Sequence, residues 1–254
     1  MTAYLDNNII VSIENGDYTL NEVKALLPDT KTRFFYSSAH IFELETFQGN
    51  PKITKTDLLA KRFDTVRNIF KNNYLYLDLK ENRLTHILED PQEVYNTITF
   101  VPFGIDAMKG FMNLFSKEQK EEVRQHLGIE MQKINNYTAT EVIDHLNTKL
   151  TNWGTNHSFL DMIEYGIQHH PDGNNFGLHN RIAGVFELLD LFGYWRDRET
   201  DTSNYARLWD ADHSFFASYC DYFISDDKRT RHKAKVVYNI YNRKTKIVSV
   251  RGDK

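Results

Sequence analysis

The feature that most limits what this chain can fold into is its ordering of elements. Short apolar stretches of strand length alternate with helical patterns at both ends, and from about residue 88 to 200 the pattern reads almost wholly as helix. Residues 3 to 11 are apolar around one acid and an amide pair and suit a short buried strand with Asp6 inside it. Arg33 to Ser37 reads as a second strand, running into a helix over Ser38 to Phe47 with Ile41, Leu44 and Phe47 on its apolar face. Thr56 to Asn72 places Leu59, Phe63, Val66 and Phe70 on one helical face, and Lys61, Arg62, Arg67 and Lys71 largely elsewhere. Tyr74 to Leu79 is a further strand candidate.

In the middle stretch, Asp90-Pro91 marks a helix start. Ser116, Thr138 and Ser158 each open a capping pattern, the first two as full capping boxes. His170 to Asn175 reads as a loop, and Ile182, Val185, Phe186, Leu189 and Phe192 mark another apolar helix face. The tail returns to mixed structure: helix over Trp209 to Cys220, strand over Tyr222 to Ser225, helix over Lys228 to Tyr241, and a last strand over Thr245 to Val250. The expectation is an α/β domain made of residues 1–87 and 201–254, split by a helical insertion at 88–200.

Composition excludes several alternatives. With 254 residues, 41% of them apolar and 26% charged, the chain has the make-up of an ordinary globular protein. No run reaches the roughly 18 uncharged apolar residues of a membrane span, since Glu187 and Asp190 interrupt Val185 to Trp195. The amino terminus has no basic segment followed by an apolar stretch, so no export signal is expected, and a single cysteine, Cys220, fits the expectation of a reducing, cytoplasmic setting. A net charge of −4 argues against coating nucleic acid by bulk attraction, but an acidic metal centre with local basic patches is compatible with it.

The residues with chemical potential are carboxylates at the two ends of the chain: Asp6 in Asp6-Asn7-Asn8, Glu43, Asp210 in Asp210-Ala211-Asp212-His213, and the pair Asp226-Asp227 after Ser225. Hard divalent cations want oxygen ligands gathered from several elements. The order and placement of these acids resembles the PIN-domain nucleases. In that family a first strand bears Asp-x-Asn, a later helix a Glu, a third acid starts a helix, and Thr/Ser-x-Asp follows the next strand. The resemblance covers about residues 3 to 47 and 207 to 250. It implies a three-layer α/β/α core with a central parallel sheet, Mg2+ or Mn2+ as cofactor, and hydrolysis of phosphodiester bonds, most often in RNA. On it, Asp6, Glu43, Asp210 and Asp227 are the catalytic and metal-binding acids, with Asp212 and Asp226 as alternative ligands.

Asn8 and Ser225 are expected beside the substrate phosphate, and Lys228 and Arg229 open a basic run through Arg231, Lys233 and Lys235 that is either a solvated helix face or a hold on the substrate backbone. Asp221 is set aside, because eleven helical residues from Asp210 span about 16 Å. His213 reads as a packed or capping histidine, and His169-His170 as loop rather than a zinc site. The rival expectations are a non-catalytic PIN-like binding or adaptor protein and a DNA-directed flap-type nuclease. Apolar faces in the helical insertion are candidates for a second copy of the chain or a protein regulator.

Overall fold

The computed structural model describes residues 1–46, 52–98, 116–171, 173–197 and 201–252. The chain is α/β, and by packing it divides into two compact units. The first comprises Met1–Thr99, His213–Lys228 and Lys244–Lys254, the second Phe100–Asp212 and Arg229–Arg243.

The first unit is built on β1 (Thr2–Leu5), β2 (Arg33–Ser37), β3 (Asn73–Asp78), β4 (Arg83–Leu88), β5 (Tyr222–Ile224) and β6 (Lys246–Val248), in the spatial order β4-β3-β2-β1-β5-β6. All neighbours are parallel except the β3–β4 hairpin. β1 lies between β2 and β5, with Tyr4 in register with Phe35 on one side and Phe223 on the other. Chain order runs outward in both directions from β1, so the carboxyl ends of β1, β2 and β5 surround a topological switch point, where open α/β sheets place their ligands. Asp6, Ser37 and Ser225 stand at those three ends.

The first apolar stretch is not one strand. Leu5 is the last strand residue, and Asp6 is the extended N-cap (φ −68°, ψ 153°) of α1 (Asn7–Asn15). Asp-Asn-Asn is a helix-start sequence, and Ile9, Ile10 and Ile13 then share a face that packs on the sheet. Gly16, left-handed at φ 80°, ends the helix. α2 spans Leu20–Ala25. After β2, α3 is brief (Ser38–Phe42); Ser37, not Ser38, caps it, and a 3-10 turn over Glu43–Thr46 follows, while Phe47 lies outside the described residues.

α4 (Lys55–Phe70) contributes Phe63, Val66, Ile69 and Phe70 to the core formed with Ala3, Leu5, Phe34, Tyr36, Tyr222 and Ile224. Each such side chain stabilises by about 1.5–3 kcal/mol when fully buried. Contrary to the sequence pattern, Arg62 on α4 is buried, because it has carboxylate and amide partners there. α5 (Pro91–Thr97) starts at the Asp90 cap as expected.

The second unit contains α6 (Lys117–His126), α7 (Met131–Ile134), α8 (Ala139–Asn152), α9 (Phe159–His169) and α10 (Leu178–Leu191). Ser116, Thr138 and Ser158 form capping boxes, the third with Asp161 supplying the return bond. α11 (Asp201–Ala217) and α12 (Lys228–Ile240) are the two helices at which the division into units falls, after Asp212 and after Lys228. The helix carrying Asp210 begins at Asp201, eight residues before the expected start at Trp209. An aspartate that marks a helix start in sequence is equally at home on a partly exposed interior turn.

The basic run of α12 is only in part a solvated face: Lys228 and Lys235 are exposed and Arg229 partly so. Arg231 and Lys233 are buried, and Lys233 joins a charge cluster with Asp197 (2.8 Å) and Asp190 (3.6 Å). Arg207 completes that cluster, 2.8 Å from Asp190 and 2.7 Å from Glu187. Among the described residues no helix is long and apolar enough to cross a membrane.

Candidate functional site

The site grows from the chain reversal at Asp6. Its amide donates to the Ile224 carbonyl (2.9 Å), which sets the end of β1 beside the end of β5. Its carboxylate makes no cap bond to α1 and turns instead to side chains: Oδ2 accepts from Ser225 Oγ (2.5 Å) and from Asn8 Nδ2 (2.6 Å). Asn8 Oδ1 in turn accepts from the Asp226 amide (3.2 Å), and Ser225 Oγ from the Asp227 amide (3.1 Å). The Asp-Asn-Asn at the start of the chain and the Ser-Asp-Asp near its end are thus laced together across 217 to 219 positions of sequence.

Asp6 is 3% exposed. Burial pushes its carboxyl above the usual carboxylate range; the nearby His213 and the Ser225 hydrogen bond oppose that, while the charges of Glu43 and Asp227 add to it. Three of the expected acids therefore share one electrostatic neighbourhood.

Glu43 has a neighbour on each side, of which only Asn7 makes a hydrogen bond. Asn7 Nδ2 donates to Oε2, and His213 Nε2 faces Oε1 at 3.4 Å. Asn7 is itself oriented, because Arg62 Nη1 donates to its Oδ1 (2.7 Å), which turns the amide nitrogen toward Glu43. The rest of the Arg62 guanidinium grips Glu14 through two bonds, of 2.6 and 3.0 Å.

The two late acids separate. Asp226 Oδ1 accepts from Ser249 Oγ (2.7 Å) and from the amides of Val250 (2.8 Å) and Arg251 (3.2 Å), and Oδ2 from the Tyr18 hydroxyl (2.6 Å). Burial opposes its charge, yet these bonds outweigh burial and hold the carboxyl below its usual range. Asp226 is a clamp on the segment after β6, with both oxygens committed. Asp227, partly exposed, is the member of the pair felt by Asp6. Lys228, exposed, opens α12 directly after it. Arg229, Asp210 and Asp212 are partly exposed and belong to the second unit.

Sequence reasoning missed Asn7, Glu14 and Arg62, and the buried Tyr4, Ser37 and His40; His213, read as a packed or capping histidine, is fully buried. Asn7 had a signal, a second amide beside the acid; Arg62 lies 55 positions away and had none.

Among the described residues no group of three or more His, Cys, Asp or Glu is already arranged as a metal shell. The donor set nonetheless suits a hard cation in kind, being carboxylates with amide and hydroxyl oxygens. No family model, curated protein or solved structure matches the chain.

Proposed function

We propose that this protein is a metal-dependent nuclease of PIN-like type that hydrolyses phosphodiester bonds, with RNA as the favoured substrate. The observation that carries the reading is Asp6: a buried carboxylate at the switch point of a parallel sheet, disfavoured in its charged form by burial and, to a lesser degree, by the nearby acids Glu43 and Asp227. Among the charges around it, His213 favours its ionised form, while Glu43 and Asp227 are further acids that oppose it and with it make up the acidic neighbourhood expected of a cation site.

Asp6, Glu43 and Asp227 would hold Mg2+ or Mn2+, and the ion would supply activation of a water and neutralisation of charge on the phosphate. The protein's own residues do the placing. Ser225 and Asn8 fix Oδ2 of Asp6, Asn7 donates to one oxygen of Glu43, and exposed Lys228 follows Asp227 directly, where it would meet a substrate phosphate.

A second reading has one observation in its favour. One oxygen of Asp6 and one of Glu43 already accept hydrogen bonds from protein side chains, as they would in a PIN-like binding protein whose acids only lock the two ends of the chain together. Incubation of the purified protein with labelled RNA and DNA strands, with Mg2+ or Mn2+ added, separates the two. Metal-dependent cleavage of RNA in preference to DNA is expected, and absence of cleavage of either strand would leave the binding reading in its place.

A further inference from the structure

The two edges of the sheet in the first unit are not alike. β6 is three residues long and opens with Lys246, and both features discourage pairing with another strand. β4 is six residues long, contains neither proline nor lysine, and pairs with β3 residue for residue from Arg83 to Leu88. Apolar side chains stand in water along it: Leu88 is 71% exposed, and Ile87, Tyr76 on β3 and Leu79 after β3 are exposed too. An edge of this kind is a template for a further strand.

Which groups face outward follows from the ladder. The Glu89 amide donates to the Asn72 carbonyl (3.0 Å), which continues the β3–β4 register by one residue. Glu89, Ile87, Thr85 and Arg83 are therefore the residues whose backbone groups turn toward β3. Leu84, His86 and Leu88 turn theirs away, and among the described residues those groups have no backbone partner. The side chains of the same three share one face of the sheet, where Leu84 lies opposite Leu77 and His86 opposite Leu75.

We propose that the β4 edge is a homodimer interface, on which β4 of a second copy adds antiparallel about a two-fold axis at His86. The strand is complementary to itself in this register. Leu84 meets Leu88 of the second copy, His86 meets its own counterpart, and Leu88 meets Leu84, pairs that together exchange about six backbone hydrogen bonds. On the opposite face Thr85 meets Ile87 and Arg83 meets Glu89, so opposite charges stand directly across from each other at both ends of the pairing. Arg83 already has a solvent-exposed partner in Glu81 (3.1 Å), a contact too weak to compete strongly for it. A shift of two residues one way sets Glu81 against Glu89, and the other way sets Leu84 against Asp90 and Arg83 against Pro91, so the register is specified. Because each copy offers the same edge, pairing consumes it on both, and the assembly closes at two. The interface belongs to the first unit rather than to the apolar helix faces of the second, and it does not depend on the nuclease reading.

The test is sedimentation velocity of the full chain over a dilution series from about 100 to 1 µM, a range that brackets micromolar affinity. The wild type is expected to be dimeric at the upper end and to dissociate on dilution. Arg83→Glu and Glu89→Arg each set like charges across both ends and should weaken the dimer by about tenfold or more, while the double variant restores the attraction with the signs reversed and should return most of that loss. Leu88→Lys, at an exposed position, should abolish the dimer while leaving the circular dichroism spectrum of the fold unchanged. A wild type that is monomeric at about 100 µM would overturn the proposal and leave the edge to a strand from a different protein. A dimer indifferent to the single charge changes, as one formed through the helices of the second unit would be, or one not recovered in the double variant, would overturn it as well.

Discussion

Replacing Arg62 with methionine tests how the first unit is held together beneath the site. The Arg62 side chain is 3% exposed and that of Glu14 is 10% exposed, so their pair is shielded from solvent and needs little discount for screening. Methionine matches the length of the stem but strands the Glu14 carboxylate, and breaking a buried pair by removing one partner costs about 3–5 kcal/mol. For a chain of this size a loss of that order lowers a melting temperature by roughly 6–20 °C, at about 2–4 °C per kcal/mol.

The readout must belong to the first unit. All three tryptophans, Trp153, Trp195 and Trp209, lie in the second, so tryptophan fluorescence reports the wrong part of the chain. Hydrogen exchange followed by mass spectrometry over β1, β2 and α4 is the suitable assay, and amides that exchange by unfolding of this unit should do so about a hundredfold faster or more, at about 1.4 kcal/mol per tenfold. Adding Glu14→Gln removes the stranded charge and should recover part of the loss. A loss under about 1 kcal/mol, or no recovery in the double variant, would refute the argument that this pair is buried and coupled.

Three further outcomes follow from the same reasoning. The raised Asp6 carboxyl means that its contribution to stability is present below the ordinary value of 3.8 and is lost as pH rises through the folded value; Asp6→Asn should therefore raise the melting temperature of metal-free protein at neutral pH, and a fall would favour the structural-lock reading. Asp226, held below the ordinary value of 3.8, stabilises above that value and loses its effect as pH falls through the lower folded value; Asp226→Ala should cost about 1–3 kcal/mol at pH 7 in urea titrations and much less in strong acid, and an effect independent of pH would contradict the clamp. In the second unit, Asp190→Asn leaves Arg207 and Lys233 short of a partner in a buried cluster and should cost about 3–5 kcal/mol, read by tryptophan fluorescence; a neutral result would mean the cluster is not paired as described.

Local signals in the sequence were strong wherever one residue type settles the backbone. Arg33–Ser37 formed a strand with the expected bounds, Asp90-Pro91 started α5, and the serine and threonine caps of the second unit lie where their spacing put them. The run from Ala3 to Val11 was ambiguous, because a buried strand followed by an apolar helix face looks like one apolar stretch until the helix-start meaning of Asp-Asn-Asn is given weight. β4 carried no signal, since most of its residues are exposed and its existence depends on pairing with β3. At the site, the acids were legible because an acid beside an apolar strand is costly unless it has a role. Their surroundings were not: Arg62 to Asn7, His213 to Glu43 and Tyr4 to His213 are contacts over long separations between residues that also have ordinary uses elsewhere.

The central claim is that Asp6 and Asp227 serve one metal-dependent reaction. The direct measurement is the cleavage rate of a labelled RNA strand by wild type, Asp6→Asn and Asp227→Asn with Mg2+ or Mn2+ present and with the metal chelated. The account predicts cleavage by the wild type that stops on chelation and falls to background in both variants, each of which remains folded. Cleavage that persists in both variants, or that is indifferent to chelation, would contradict it.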